Sequence, residues 1–166
     1  VSTGTRNGKG KNWEWRGADL TKKIARGFHQ NMKRAAIFLN GDIVLSLQGS
    51  SPSEAGEPPG LVTGTLSRSI GYQIIGKGLK TIARIGSGIG GKDDPGYGIH
   101  LEFGTMPHII IAQDSAALAF PGKNGEMVFR ESVVHPGIAE RPFLRPSLKK
   151  PRNRQKIMRI FGRKIL

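Results

Sequence analysis

The chain contains no cysteine among its 166 residues. That absence removes disulfide frameworks, thiolate nucleophiles and cysteine-based zinc sites together, and it suits a protein folded, or a particle assembled, in a reducing interior. Long apolar runs are missing too. Nothing approaches the roughly 18 apolar residues of a spanning helix, and the leading VSTGTRNGKGKNWEW is polar where a signal peptide is greasy. A soluble product with no membrane partner is expected. Aromatic residues make up only 7%. Both tryptophans, Trp13 and Trp15, stand in the polar lead, away from any strand on which bases could stack, and this argues against the common single-strand-binding modules. Acid is absent altogether from residues 141–166.

That last absence organises the charge. Residues 1–34 hold nine Lys/Arg against Glu14 and Asp19, residues 35–140 hold seven against ten acids, and residues 141–166 hold ten against none. The formal charge of +14 therefore belongs to two basic ends around a mildly acidic body. A stretch so self-repelling points to a polyanionic partner, with a solvated basic face as the alternative.

Leu20, Ile24, Phe28, Met32, Ala35, Leu39 and Ile43 recur every three or four residues and fall on one stripe at about 100° per residue, while Lys22, Lys23, Arg26, Lys33 and Arg34 take the opposite arc. The pattern predicts an amphipathic helix over about 18–47, weakened at Gly27 and open to a break at Asn40-Gly41. GSSPSEAGEPPG (49–60) reads as a loop. Ile70, Tyr72 and Ile74, then Ile82 to Ile85, alternate around a GKG turn and read as a β-hairpin. GSGIGGKDDPGYG (86–98) is another loop, and IHLEFGT after it fits either a strand or a short helical turn. HIIIA, AALAF and EMVFRESVVH read as three further strands, the last two joined by PGKNG. At the end, Ile157, Ile160, Phe161 and Ile165 form a narrow apolar stripe in a basic helix, with Pro146 in its first turn and Pro151 kinking or restarting it. The expected fold is α+β: a curved, mostly antiparallel sheet from Leu66 to His135 packed by the long N-terminal helix, with a basic C-terminal helix. Along the chain this gives a flexible basic lead (1–17), one domain (18–148) and a basic extension (149–166).

Catalytic chemistry is sparsely offered. GSGIGG (86–91) has the spacing of a dinucleotide loop, but KDDPGYG follows where a helix must begin. His100 and Glu102 form an H-x-E pair, which His108 would extend to a metal cluster; on a strand they would instead share one face as structural polar groups, and the cysteine half of a deaminase signature cannot exist. Asp93 and Asp94 are adjacent in a Gly/Pro loop, which does not hold two carboxylates convergently. No G-x-S-x-G, H-E-x-x-H or G-x-x-x-x-G-K-[ST] occurs. The expectation is a protein that is not an enzyme, with no cofactor, metal or catalytic residue.

Four patches in fixed order resemble one family: GEPPGLVTGTLSRSI (56–70), with Thr63, Gly64, Leu66, Ser69 and Ile70; YGIHLEFGT (97–105), with Tyr97, Glu102, Phe103, Gly104 and Thr105; ALAFPGKNGEMVFRESVVHPG (117–137), closing on His135, Pro136 and Gly137; and RPFLRPSL (141–148), with Arg141, Pro142, Phe143, Leu144 and Pro146. The chain resembles the neck or tail-completion proteins of long-tailed bacteriophages, also called head-tail joining or minor tail proteins, and is similar over about residues 56–148 to the lambda-type tail-completion protein. Phage virion-morphogenesis proteins with a similar TG-x-L…S-I entry are a sister possibility.

The resemblance implies a structural virion protein, assembled in the host cytoplasm and located in the neck between head and tail. It implies a homo-oligomeric ring, a hexamer first and a dodecamer as the alternative, stacked on other neck proteins such as a head-completion or stopper protein and a tail terminator, and passing double-stranded DNA without sequence specificity. The long loops 49–60 and 86–98 would then order against neighbours. The DNA-facing candidates are Arg152, Arg154, Lys156, Arg159, Arg163 and Lys164 on the last helix, favoured because it lacks any acid, and Lys22, Lys23, Arg26, Lys33 and Arg34 on the first. The charge alone also permits a sequence-independent basic nucleic-acid-binding protein of non-viral origin. Within RPFLRP, Pro142 and Pro146 stiffen a corner that Phe143 and Leu144 plug into an apolar face, leaving Arg141 and Arg145 for carboxylates or phosphates.

Overall fold

A computed structural model describes residues 16–162. The lead up to residue 15, and Arg163, Lys164 and Ile165 at the other end, lie outside the described residues. The chain is α+β, with helix α1 (Gly17–Ser46) as its spine. At 30 residues α1 is about 45 Å long. It runs through Gly41 without a break. Gly41 is exposed and costs about 1 kcal/mol against alanine, but buried Leu39, Asp42 and Ile43 flank it and hold the turn. The apolar stripe becomes core only in the second half, where Ala35, Ala36, Leu39 and Ile43 are buried. Leu20 is 42% exposed, and Ile24, Phe28 and Met32 are half-buried. The expectation that the stripe is core from Leu20 onward is thus corrected, because the hairpin and the C-terminal helix cover the first turns only from the sides.

A short helix α2 (Thr65–Ser69) leads into β1 (Ile70–Ile75), which pairs antiparallel with β2 (Ile82–Ser87) across a 3-10 turn at Gly78–Lys80. This ribbon packs on α1. IHLEFGT resolves as a helix, α3 (Gly98–Phe103). That helix stands where a strand would have joined the first ribbon to the later ones, so no continuous curved sheet forms from Leu66 to His135. Instead β3 (His108–Ile111) pairs with β6 (Ser132–His135), and β4 (Leu118–Pro121) with β5 (Met127–Arg130), giving three two-stranded ladders among the described residues. EMVFRESVVH is therefore two strands, divided at Glu131.

The last two ladders are in line. Thr105 bridges Ile138, β3–β6 follows, the Ala112 amide donates to the Glu131 carbonyl at 3.0 Å, and β4–β5 continues to a turn at Gly122–Gly125. Together they form one β-arm from Gly104 to Gly137, with residues 112–117 inserted in one of its strands. Glycine is required at the base of the arm. Gly137 has φ +85, and a Cβ there would lie 2.3 Å from the Thr105 carbonyl oxygen.

The C-terminal segment is two helices, α4 (Leu144–Lys149) and α5 (Pro151–Phe161). Pro151 forces Lys150 out of the helical region, to ψ 123, and then serves as the first residue of α5. Its narrow stripe meets α1: Asn153 and Ile160 are buried, and the Phe161 ring lies 5.4 Å from that of Phe28. With Asn153 beside Asp42 at the other end, α5 runs antiparallel to α1. The boundary expected at 148/149 falls inside α4. The core cluster is Ile43, Leu47, Leu66, Ile70 and Phe143, with Val44, Ile85, Leu101 and Leu144 packed around it.

Candidate functional site

Three of the four sequence patches, 56–70, 97–105 and 141–148, meet at the RPFLRP corner, while 117–137 runs along the β-arm. Glu102, on the last turn of α3 and 2% exposed, accepts the backbone N–H groups of Phe143 (2.8 Å) and Leu144 (2.9 Å) on one carboxylate oxygen. Its other oxygen accepts the Arg145 backbone N–H (2.9 Å) and Nε (3.0 Å). Those amides open α4, and no side chain of α4 itself caps them. Burial alone would raise the Glu102 pKa; hydrogen bonds from the Leu144, Arg145 and Phe143 amides and the Arg145 side chain outweigh it and hold the group below its ordinary value.

Arg145 is clamped in turn by Glu140 at 3.0 Å and stacks over the exposed Phe103 ring, its carbon centre 4.7 Å from the ring centroid. Arg141 donates its backbone N–H to the Leu101 carbonyl and its side chain to Ser53 at 3.3 Å. Phe143 is 1% exposed and inserts among Ile43, Leu47, Leu66 and Ile70; the plug expected to press on a sheet face thus sits between helices and the first residue of β1. Gly64 takes φ +72 ahead of α2, Thr63 bonds Thr65, and the Ser69 and Ser87 hydroxyls pair at 2.9 Å. Tyr97 precedes α3 and is 41% exposed. Gly104, Thr105, Pro136 and Gly137 form the base of the arm, where the His108 and His135 rings stack at 5.0 Å.

A second buried carboxylate ties the two basic helices together. Asp42, 7% exposed on α1, accepts from Asn153 Nδ2 (2.8 Å), Lys150 Nζ (3.1 Å) and Arg152 (3.3 Å). Burial would raise its pKa as well; Asn153 and Lys150 more than reverse that and leave it lowered. Asn153, fully buried, also donates to the Ser147 carbonyl. We expect Asp42→Ala to cost about 1–3 kcal/mol, chiefly from the one N–H of the buried Asn153 amide that loses its acceptor, because Lys150 and Arg152 are exposed enough to rehydrate. Chemical denaturation checks this, and a variant with an unchanged midpoint removes Asp42 from the helix–helix contact.

The basic residues themselves are exposed. Lys22, Lys23, Arg26 and Lys33 make no ion pair among the described residues, and Arg34 bonds only Asn31 Oδ1 at 3.2 Å. On α5, Arg152, Lys156 and Arg159 share one flank at positions i, i+4 and i+7, with Arg154 on the other. Of these, Arg152 alone is committed to a carboxylate among the described residues. Lys22, Arg26 and Lys77 also line a recess beside His29. Each set is thus an exposed cationic surface suited to phosphate contact, with no aromatic side chain stacked on it among the described residues.

The sequence's other chemical candidates are dispersed. His100 and Glu102 lie on a helix rather than a strand, so positions two apart diverge by about 200°; His100 is exposed and Glu102 points into the core. Asp94 accepts from Ser87 Oγ (2.9 Å) and the Gly96 amide (3.0 Å), which lowers its pKa and assigns it to the loop rather than to a carboxylate pair. Among the described residues no three His, Asp or Glu side chains gather as a metal site, and no helix is long and apolar enough to cross a membrane. An apolar groove of about 820 Å³ lies between α1, β2, α3 and the C-terminal helices. No family model, curated protein or solved structure matches the chain.

Proposed function

We propose that this chain is a structural subunit of a bacteriophage neck: it forms a ring where head meets tail, six-fold first and twelve-fold as the alternative, and lines the channel through which DNA leaves. The observation that carries the reading is the pair of solvent-facing basic helices on a body where three of the four phage-like patches converge at one corner. A channel must pass a polyanion without gripping its sequence, since base-specific contacts stall a sliding genome. Exposed Lys and Arg on rigid helices meet that demand through the phosphates alone. Neighbouring neck proteins would stack on the ring, and no cofactor or catalytic step is required.

The test pairs Arg154, Lys156 and Arg159→Glu with Lys22, Lys23 and Arg26→Glu. All six are exposed and outside the buried carboxylate nodes, so folding is expected to persist. Duplex binding by the parent should ignore sequence and fall steeply with salt, and loss of three phosphate contacts should reduce the log–log salt slope by about 3. The α5 set is expected to have the larger effect. Equal affinity and infectivity in both variants would overturn the DNA-facing role. A chain that binds duplex as a dispersed monomer, without rings in negative stain, would favour the non-viral nucleic-acid-binding alternative.

A further inference from the structure

The β-arm and the apolar groove are both incomplete surfaces. The arm carries Ile109 (63% exposed), Ile111 (63%) and Val134 (75%) on one face of the β3–β6 ladder, since cross-strand partners and alternate residues project together. Nearer the tip, on β5, Phe129 and Met127 are 61% and 55% exposed. Two strands with both outer edges unpaired are marginal in water, and the arm does not pack extensively on any helix of the body.

The groove presents the complementary deficit. Five consecutive residues of β2, Ala83 to Ser87, line it. Neighbours of both parities line a groove that reaches a strand's edge, and β2 has β1 on one side alone. Ile99 and Phe103, 63% and 62% exposed, stand at its rim. Charge agrees with shape. The acceptor ribbon, Ile70–Ser87, carries Lys77, Lys80 and Arg84 and no acid, whereas the arm carries Asp114, Glu126 and Glu131 against Lys123 and Arg130.

We propose that the arm of one copy adds to the free β2 edge of a second copy, with Ile109, Ile111 and Val134 seated in that copy's groove. Backbone hydrogen bonds along the edge supply the pairing, and the apolar face fixes the register. The contact is heterologous, arm to groove, and where its rotation closes, repetition around an axis generates a ring. This rests on the ring reading above and names the surface that would close it.

The chain has no cysteine, so single cysteines can be introduced cleanly. Mixing full-length Ile111→Cys with full-length Ala83→Cys under mild oxidation should give a disulfide-linked dimer containing one of each. The double variant Ile109→Asp/Val134→Asp should sediment as a monomer with unchanged far-UV circular dichroism, because neither residue is in the core. Should the double variant lose its fold, Ile99→Asp on the groove rim reads the same contact. If parent and double variant both form rings and no mixed disulfide appears, the arm seats elsewhere and the proposal falls while the ring reading stands. Mixed disulfides without rings uphold the contact and overturn the ring. A monomeric parent with no mixed disulfide overturns both.

Discussion

Glu102→Ala is expected to destabilise the fold by about 3–5 kcal/mol, a large part of the 5–15 kcal/mol typical of a domain. The carboxylate is almost fully buried and accepts three consecutive backbone amides, those of Phe143, Leu144 and Arg145, besides the Arg145 side chain. Alanine leaves the amides without acceptors at the start of α4. Glu102→Gln is not expected to rescue, because both carboxylate oxygens accept and an amide places an N–H against donors on one side. Urea midpoints measure the loss; a shift below about 1 kcal/mol would mean that water replaces the carboxylate and that the corner is not organised by it. The same carboxylate makes the fold acid-sensitive. Its folded pKa lies below its ordinary value of 4.5, so its contribution is complete above that pH and disappears as pH falls through the lower folded value. Asp42, lowered from 3.8, acts in the same direction. Glu102→Ala should therefore flatten, without abolishing, the decline of stability in acid. Added salt should change it little, since neutral backbone donors supply most of the hydrogen bonds.

Phe143→Ala should cost a similar amount, about 3–5 kcal/mol, through lost burial and the cavity left among Ile43, Leu47, Leu66 and Ile70. Phe28→Ala is the informative contrast. From periodicity alone Phe28 is a core residue, with the full penalty of a buried aromatic. In the structure it is half-buried, and its ring contact is with Phe161 near the end of α5. The expected cost is about 1–2 kcal/mol, part area and part ring contact. Thermal melts of the two variants side by side decide the matter. Equal losses would place the N-terminal half of α1 in the core, and a larger loss at Phe28 would invert the packing described here.

Local signals made α1, the β1–β2 hairpin, the turn at 122–125 and the restart at Pro151 legible, because each rests on periodicity, turn chemistry or the steric limits of proline. The α+β class followed from their order. The functional proposal draws on the sequence in the same way: the acid-free C-terminal stretch and the exposed lysines of α1 are composition and phase. What no local pattern contains is which polar group is buried. Asp42 sits next to Ile43 on the apolar arc, a weak sign, and its meaning depends on Lys150, Arg152 and Asn153 more than a hundred positions away. Glu102 reads as half of an H-x-E pair until a helix turns it inward.

The sheet shows the same division. Strand-forming residues from Ile70 to His135 are evident one by one, but pairing is a long-range choice. Alpha3 and the 112–117 insertion divert it from one curved sheet into a packed ribbon and an in-line arm. The sequence by itself determined the helices, the turns and where the charge resides, since those are properties of neighbours along the chain. Only the tertiary structure decided which carboxylates hold the corner, which half of α1 is core, and that an apolar arm and an apolar groove are left open on the same molecule, because each depends on surfaces meeting across sequence distances that local energies do not sense.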